Sequence, residues 1–146
     1  MEENTDFKED SQAVQSHLSI LQSVINRMAG NSSSAKSWCI TIVSAVLVIV
    51  ADKGKPQYAW IAVIPTVLFF LLDTYYLALE KGFRNSYNKF IVKLHGQSIL
   101  AEDLFVVSPK GGQIKLFFSS IISFSIWPFY LTLIAMIFAA KAFVLT

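Results

Sequence analysis

Few side chains in this sequence could do chemistry, and the first of them is Asp73. It directly follows residues 58–72, an apolar run without a charge. A carboxylate inside or at the edge of a membrane is costly, so it needs either a partner or a function. Two interpretations stay open. Asp73 is a structural carboxylate at a helix interface, reached by Lys81 or Arg84 of its own or a neighbouring chain, or it belongs to a pore or gate.

The second group is basic and follows Asp73. On a helical wheel, Lys81, Lys89 and Lys93 lie opposite the apolar residues of their segment, and Arg84 adds a further positive charge. We treat these four as a candidate face for a ligand or partner. Such a face either is solvated and meets anionic lipid headgroups, or binds the phosphates of a nucleotide or oligonucleotide. No aromatic residue lies clearly on it to stack on bases, which argues against the nucleotide interpretation.

The third group consists of hydroxyl-bearing residues at helical spacing inside apolar segments. They are Ser37, Thr41 and Ser44 in one segment and Ser119 and Ser123 in another. Small residues let helices approach closely in lipid, and hydroxyls bond between helices. The alternative is a hydroxyl-lined aqueous pathway in a homo-oligomer. Both interpretations require association, since three helices can hardly shield these residues together with Pro65, which we expect to kink its helix in mid-membrane.

The sequence contains no catalytic, metal-binding or phosphate-binding motif. His17 and His95 are far apart, Cys39 lies in an apolar segment, and the patterns CxxC, HExxH and GxxxxGK[ST] are absent. His17 flanks an apolar stripe and is expected to be a histidine of a helix interface or of the surface. We therefore predict that the chain is not an enzyme and uses no cofactor.

The elements that must position these residues are helices. Hydrophobic residues make up 54% of the 146 residues, too many for one small soluble core. Three segments are apolar enough for transmembrane helices, at about residues 35–51, 58–80 and 115–141. The second helix continues to residue 95 as an amphipathic rod in the cytoplasm. The predicted fold is thus an all-α membrane protein with a transmembrane domain over residues 35–146.

A further amphipathic helix is predicted over residues 11–30, ahead of the first span. Its apolar stripe consists of Val14, Leu18, Leu21, Ile25 and Met28. Gly30-Asn31 would end it, because both residues tolerate positive φ. This helix is expected to pack on the cytoplasmic extension of the second span. Residues 1–10 are expected to be an acidic, flexible N-terminus, and residues 96–112 a short helix near the membrane surface followed by a turn.

The basic residues predict the orientation. Three spans put the N-terminus and the connection between the second and third spans on one side of the membrane. That side carries eight basic residues between positions 27 and 115, and the other side carries three. By the positive-inside rule, we predict a multi-pass membrane protein with a cytoplasmic N-terminus and an external C-terminus. The resemblance described next implies that this membrane is a bacterial inner membrane.

Three stretches carry a resemblance to a family. HLSILQSVINRMAGNSSSAKSW (17–38), DTYYLALEKGFRNSY (73–87) and WPFY (127–130) resemble small bacterial membrane proteins encoded in anti-phage defence loci, in particular the channel-like effector of the Hailong system. That effector is paired with a nucleotidyltransferase. The resemblance implies an oligomeric channel controlled by an oligonucleotide signal. Its partners would be the lipid bilayer, further copies of the chain, and a nucleotidyltransferase or its oligonucleotide product.

Two functions from different classes follow. The first is an oligomeric membrane effector that forms an ion-conducting pore and depolarises the cell, under control of a cytoplasmic nucleotide or protein signal. The second is a membrane anchor or scaffold that does not conduct and docks a soluble partner through its cytoplasmic helices. They differ in whether the hydroxyl stripes face water.

Overall fold

The computed structural model describes residues 7–144 and contains helices and no strands within them. In chain order the elements are α1 (Gln12–Asp52), a 3-10 helix (Pro56–Ala62), α2 (Val63–His95), a short 3-10 helix (Ala101–Asp103), α3 (Gln113–Ile121), α4 (Trp127–Ala139) and a π-helical segment (Ala140–Val144). The all-α prediction is confirmed. Of the predicted flexible N-terminus, residues 1–6 lie outside the described residues.

α1 is one unbroken helix, so the predicted end at Gly30-Asn31 and the separate helices at 11–30 and 35–51 are wrong. The Ser11 hydroxyl caps its start by accepting a hydrogen bond from the Val14 amide, 3.3 Å away. A glycine inside a helix costs about 1 kcal/mol relative to alanine. Against this cost, the buried stripe passes through Gly30 in phase, from Ile25 and Met28 to Ser32 and Ala35. Packing on α2 therefore overrides the local signal for a helix end.

α2 follows a tight turn in which Gly54 has a φ of +59°. The chain first forms the 3-10 helix and becomes α-helical at Val63. Pro65 is the third residue of α2, where a missing N–H removes none of the hydrogen bonds within that helix. The expected kink in the middle of a long helix is therefore replaced by a change of helix type just before the proline.

The third apolar segment is broken, so the prediction of a single helix over 115–141 is wrong. α3 ends at Ile121 and α4 begins at Trp127. In the break, the Ser123 carbonyl accepts hydrogen bonds from the amides of Ile126 (2.9 Å) and Trp127 (3.3 Å). Pro128 is the second residue of α4, a position that suits proline because its ring presets φ and its missing N–H needs no acceptor.

The segment α3–α4 runs along α2 in the opposite direction. Near its start, the Lys81 ammonium donates to the Ser119 carbonyl at 3.1 Å. Further on, the Tyr130 hydroxyl donates to the Phe69 carbonyl at 3.0 Å. At its end the Phe138 ring packs on Trp60, with 4.9 Å between ring centroids. The segment thus extends from the level of Lys81 to the turn between α1 and α2.

The molecule has two halves with separate apolar clusters. We call residues 37–72 and 116–142 the apolar half; its buried cluster consists of Cys39, Val43, Ala62, Ile126, Tyr130, Leu133 and Ile137. We call residues 7–35 and 74–115 the polar half; its buried cluster consists of Val14, Phe90, Leu94 and Ile99. α1 and α2 run through both halves, and α3 begins in the polar half and continues into the apolar half.

Two helical stretches are long and apolar enough to cross a membrane, Gln12–Asp52 and Pro56–His95. A shorter apolar stretch covers Trp127–Ala142. Many large apolar side chains of the apolar half are also exposed, among them Val48 at 68% and Leu68 at 62%. Such an extensive apolar surface is typical of a protein that contacts lipid or another protein.

Candidate functional site

A buried ion pair joins α1 to α2 at the boundary between the two halves. Asp73 is fully buried, and the Lys36 ammonium nitrogen lies 2.6 Å from its Oδ2 atom. The Ser32 hydroxyl donates to Oδ1, and Lys36 also donates to the Ser32 oxygen at 3.2 Å. Oδ2 accepts no aligned hydrogen bond from the described residues, so the ammonium group is its partner.

Within one chain, the predicted partners of Asp73, Lys81 and Arg84, are therefore wrong. The Lys81 ammonium is bound to Ser119, and the Arg84 guanidinium lies 2.8 Å from Glu80 on its own helix. The closed triad of Ser32, Lys36 and Asp73 corresponds to the interface carboxylate of the two alternatives considered for Asp73. Within the described residues, no further group of the chain is needed to balance its charge.

The triad also sets the length of the uncharged part of α1. Residues 37–51 carry no charged side chain, but 15 residues of helix extend only about 22 Å, less than the roughly 30 Å of a bilayer core. When Lys36 is neutralised by Asp73, the stretch without net charge becomes residues 28–51, about 36 Å. The ion pair thus leaves no net charge on α1 between Arg27 and Asp52, although residues 31–34 of this stretch are polar.

The hydroxyl stripe of the first span lies on the outside of the molecule. Ser37, Thr41 and Ser44 are exposed, whereas Cys39 and Val43 between them are buried. The Thr41 hydroxyl donates to the Ser37 carbonyl at 2.9 Å, and the Ser37 hydroxyl donates to the Ser33 carbonyl at 3.3 Å. These two hydroxyls are therefore satisfied within their own helix, and the stripe faces away from α2.

The second hydroxyl set lies elsewhere. Ser119 is held by Lys81, and Ser123 lies in the break between α3 and α4. The structure therefore does not bring the two sets together within one chain. Ser44 instead lines an open apolar groove of about 390 Å³ between α1 and α4. Thr132 on α4 lies in the same groove.

The polar half contains a cavity of about 430 Å³ between α1, α2 and the connection to α3. We call that connection, residues 98–112, the strap. One wall consists of His17, Leu21, Ser86, Lys89, Phe90 and Lys93, and the other of Glu102, Asp103, Val106 and Lys110. Within residues 96–112 we predicted a short helix and left open whether the segment lies on the membrane or folds against the rod of α2. The structure has a short 3-10 helix at Ala101–Asp103, and the strap folds against α2.

The cavity carries a mixed charge with an excess of basic groups. Its lining contains three basic residues, Lys89, Lys93 and Lys110, and two acidic residues, Glu102 and Asp103. The Lys93 ammonium lies 2.6 Å from Asp103 Oδ1, and this hydrogen bond lowers the pKa of the Asp103 carboxyl. Lys89 and Lys93 from the predicted basic face thus share one site. Lys81 and Arg84 do not line it.

His17, which we expected at a helix interface or on the surface, is buried at the interface of α1 with α2 and becomes a functional candidate that the sequence did not indicate. Only 2% of its surface is exposed, its Nδ1 atom accepts a hydrogen bond from the Phe105 amide at 2.9 Å, and its ring lies 4.3 Å from that of Phe90. Burial lowers the pKa of the imidazole, while the charge of Asp103 partly opposes this shift. The available signal was a polar residue on the buried stripe, between Val14 and Leu21 at spacings of three and four.

The far end of the strap is fixed to α2 at Gly82. The Lys110 amide donates to the Gly82 carbonyl at 2.9 Å, and the Asn85 side chain donates to the Lys110 carbonyl at 3.2 Å. The Ser86 hydroxyl donates to the Ser108 carbonyl. A Cβ atom at position 82 would lie 2.7 Å from Pro109 Cβ, so this approach requires glycine.

No protein-family model matches the chain, and no curated protein or solved structure is significantly similar to it.

Proposed function

We propose that this protein is an oligomeric membrane effector whose apolar half forms an ion-conducting pore that depolarises a bacterial cell. The observation that supports this most is the outward stripe of Ser37, Thr41 and Ser44 on an otherwise apolar helix surface. In a single chain the stripe would contact lipid. In a ring of copies it would contact neighbouring helices or water, which suits hydroxyl groups better.

The proposal includes three membrane crossings with the N-terminus in the cytoplasm of the inner membrane. The third crossing is α3–α4, whose residues 116–140 carry no charge and run beside α2 to the level of Trp60. The positive-inside rule supports this orientation, since the polar half contains most of the basic residues.

Control would come from the polar half. α1 connects the cavity at His17 to the hydroxyl stripe without a break, so displacement at one end reaches the other. A cytoplasmic nucleotide or partner protein would meet the amines of Lys89, Lys93 and Lys110. To open or close the pore, this signal must bind the two states with different affinity. In a defence system of the kind that the sequence resembles, the signal would be a nucleotidyltransferase or its oligonucleotide product.

The test is membrane potential in bacteria that produce the chain alone, measured with a voltage-sensitive dye. The wild type is expected to depolarise the cells. The variant Ser37→Leu/Thr41→Leu/Ser44→Leu should leave the potential unchanged, because it removes the hydroxyls from the stripe. The matched control is Val48→Leu/Ile49→Leu, which changes two exposed apolar residues of the same helix and should depolarise like the wild type.

Equal amounts of each variant in the membrane fraction are required for the comparison. Depolarisation by the triple variant at the wild-type level would contradict a pore lined by this stripe. A steady potential with the wild type, with and without the neighbouring genes, would contradict the effector function.

One observation favours the second candidate, a membrane scaffold that does not conduct. The hydroxyls of Ser37 and Thr41 already bond to carbonyls of their own helix, so they do not require water. The polar half also exposes large apolar side chains that could dock a soluble partner, such as Val92 at 71% and Leu100 at 56%. A scaffold would keep the potential steady and still form oligomers in the membrane.

A further inference from the structure

The strap forms one wall of the cavity, and its first half contacts both long helices. After α2 the chain turns back at Gln97, which has a φ of 51°. Ile99 is then buried in a cluster with Val14, Phe90 and Leu94, and Leu104 packs against the same cluster. Apolar contacts thus hold this part of the strap to Val14 of α1 and to Phe90 and Leu94 of α2. Further along, a hydrogen bond from Phe105 to His17 joins the strap to α1.

Phe105 adopts a backbone conformation that needs support. Its φ is 61°, in the left-handed region that residues other than glycine rarely adopt. The amide of this residue donates to His17 Nδ1 at 2.9 Å, across 88 positions of sequence. An unfavourable backbone conformation is therefore stabilised by one histidine atom on another helix.

The protonation state of His17 follows from this hydrogen bond. A backbone amide can only donate, so Nδ1 must carry a lone pair and the imidazole proton must be on Nε2. In the doubly protonated imidazolium both nitrogens are donors. A proton on Nδ1 would then point at the Phe105 amide proton, and the hydrogen bond would be lost.

Some charged groups around His17 favour its protonation and others oppose it. Asp103 and Glu102 on the strap favour a positive imidazolium, while Lys89 and Lys93 on α2 and Lys110 on the strap oppose it. The Asp103 charge is already partly compensated by Lys93, 2.6 Å away. On α1 itself, the neighbours on the buried stripe are the apolar Val14 and Leu21. The folded environment as a whole favours neutral His17.

We propose that His17 is a proton-operated switch whose protonation releases the Phe105 region of the strap from α1 and opens the cavity. The switch does not depend on ion conduction, so it can be tested on the purified protein whether or not the chain forms a pore. The ligand of this switch is the proton, and the moving element is the strap.

Proton linkage determines the direction of the effect. With the strap closed, burial lowers the pKa of His17; with the strap open, the pKa approaches the ordinary value of about 6.5. The closed form therefore binds the proton less tightly than the open form. Above about pH 6.5, where His17 is neutral in both forms, the stability of the closed form no longer changes with pH. As the pH falls below about 6.5, the equilibrium constant for opening rises by up to about tenfold per pH unit. This rise ends once the pH is below the pKa of His17 in the closed form.

The test is hydrogen exchange of the full chain in detergent micelles between pH 8 and pH 5. Exchange rates are first corrected for the intrinsic pH dependence of free amides. Protection of peptides that cover residues 99–107 should be constant above about pH 7 and fall by up to about tenfold per pH unit below about 6.5. Peptides from the middle of α2 should show no such change. The chain has two histidines, so imidazole NMR signals can be followed in parallel.

Two substitutions isolate the titrating group. His17→Asn keeps an acceptor at the position of Nδ1 but cannot be protonated, so strap protection should stay high at every pH. His17→Phe keeps a ring on Phe90 but removes the acceptor, so protection should be low at every pH. Both variants should therefore give a flat pH profile. The control His95→Gln changes the exposed histidine near Glu9 and should keep the wild-type profile.

Either of two results would overturn the proposal. One is wild-type protection of residues 99–107 that does not change between pH 8 and pH 5. The other is a pH-dependent loss that persists in both His17 variants, since another group would then be responsible.

Discussion

At the scale of single residues, the most specific prediction about stability concerns the contact between Lys36 and Asp73. Breaking a buried ion pair by removing one partner leaves a charge without compensation and costs about 3–5 kcal/mol. Lys36→Met should therefore lower the free energy of unfolding by about this amount, since Asp73 is fully buried. Unfolding in mixed micelles with increasing denaturing detergent measures the change.

A matched surface pair provides the control for this experiment. Lys53 lies 3.9 Å from Asp52 with both side chains more than 70% exposed, so Lys53→Met should change stability by less than about 1 kcal/mol. The double variant Lys36→Met/Asp73→Leu removes both charges of the pair and should be more stable than Lys36→Met alone. If Lys36→Met changed the free energy of unfolding as little as Lys53→Met, the contact between Lys36 and Asp73 would contribute little to stability.

Residue types alone could predict that Asp73 needs a partner, but not which one. Lys81 and Arg84 are the nearest basic residues in sequence. However, they are eight and eleven positions away on the same helix, roughly 12 Å or more along its axis. The actual partner comes from α1, and it depends on the register between two helices, which a single sequence does not contain. His17 was missed for the same reason, because its partner Phe105 is on a distant loop.

At the scale of elements, Gly82 and Gly30 make a matched pair of helical glycines. Gly82→Ala would place a Cβ atom 2.7 Å from Pro109 Cβ and push the strap off α2. We expect a net destabilisation of up to about 2 kcal/mol, because overpacking costs about 1–3 kcal/mol and the better helix propensity of alanine returns about 1 kcal/mol. Thermal unfolding in detergent measures it.

Gly30→Ala is the control because an added Cβ there meets nothing within 4 Å. It should stabilise α1 by up to about 1 kcal/mol through helix propensity. Gly82→Ala should also increase hydrogen exchange in peptides that cover residues 106–112, whereas Gly30→Ala should not. Equal effects of the two substitutions would mean that the contact with Pro109 is not important.

Helical periodicity predicted the elements well but their ends poorly. The buried stripe of α1 and the rod of α2 follow directly from the spacing of apolar residues. The predicted break at Gly30-Asn31 failed because that signal is local, while the packing of α1 on α2 continues through it. The break near Pro128 has a local cause, yet the continuous apolar composition of residues 116–140 concealed it.

At the scale of the whole molecule, the orientation in the membrane can be tested by cysteine labelling. Cys39 is the only cysteine, so Cys39→Ala provides a background without thiols. In intact cells without an outer membrane barrier, a maleimide that cannot cross membranes should label Lys53→Cys in the turn after α1. It should not label Gln97→Cys in the turn after α2. Permeabilised cells should label both. The reverse pattern in intact cells would contradict a cytoplasmic N-terminus.

The unbroken course of α1 has a consequence for its length. Each residue of an α-helix advances the direction of its side chains by about 100°. One alanine inserted after Gly30 would leave Lys36 opposite Asp73 but rotate His17 away from Phe105 by that angle. An insertion of seven residues would nearly restore the angle but shift His17 by about 10 Å along the axis. The number of residues between His17 and Lys36 is therefore as important for their contacts as the identities of the two residues.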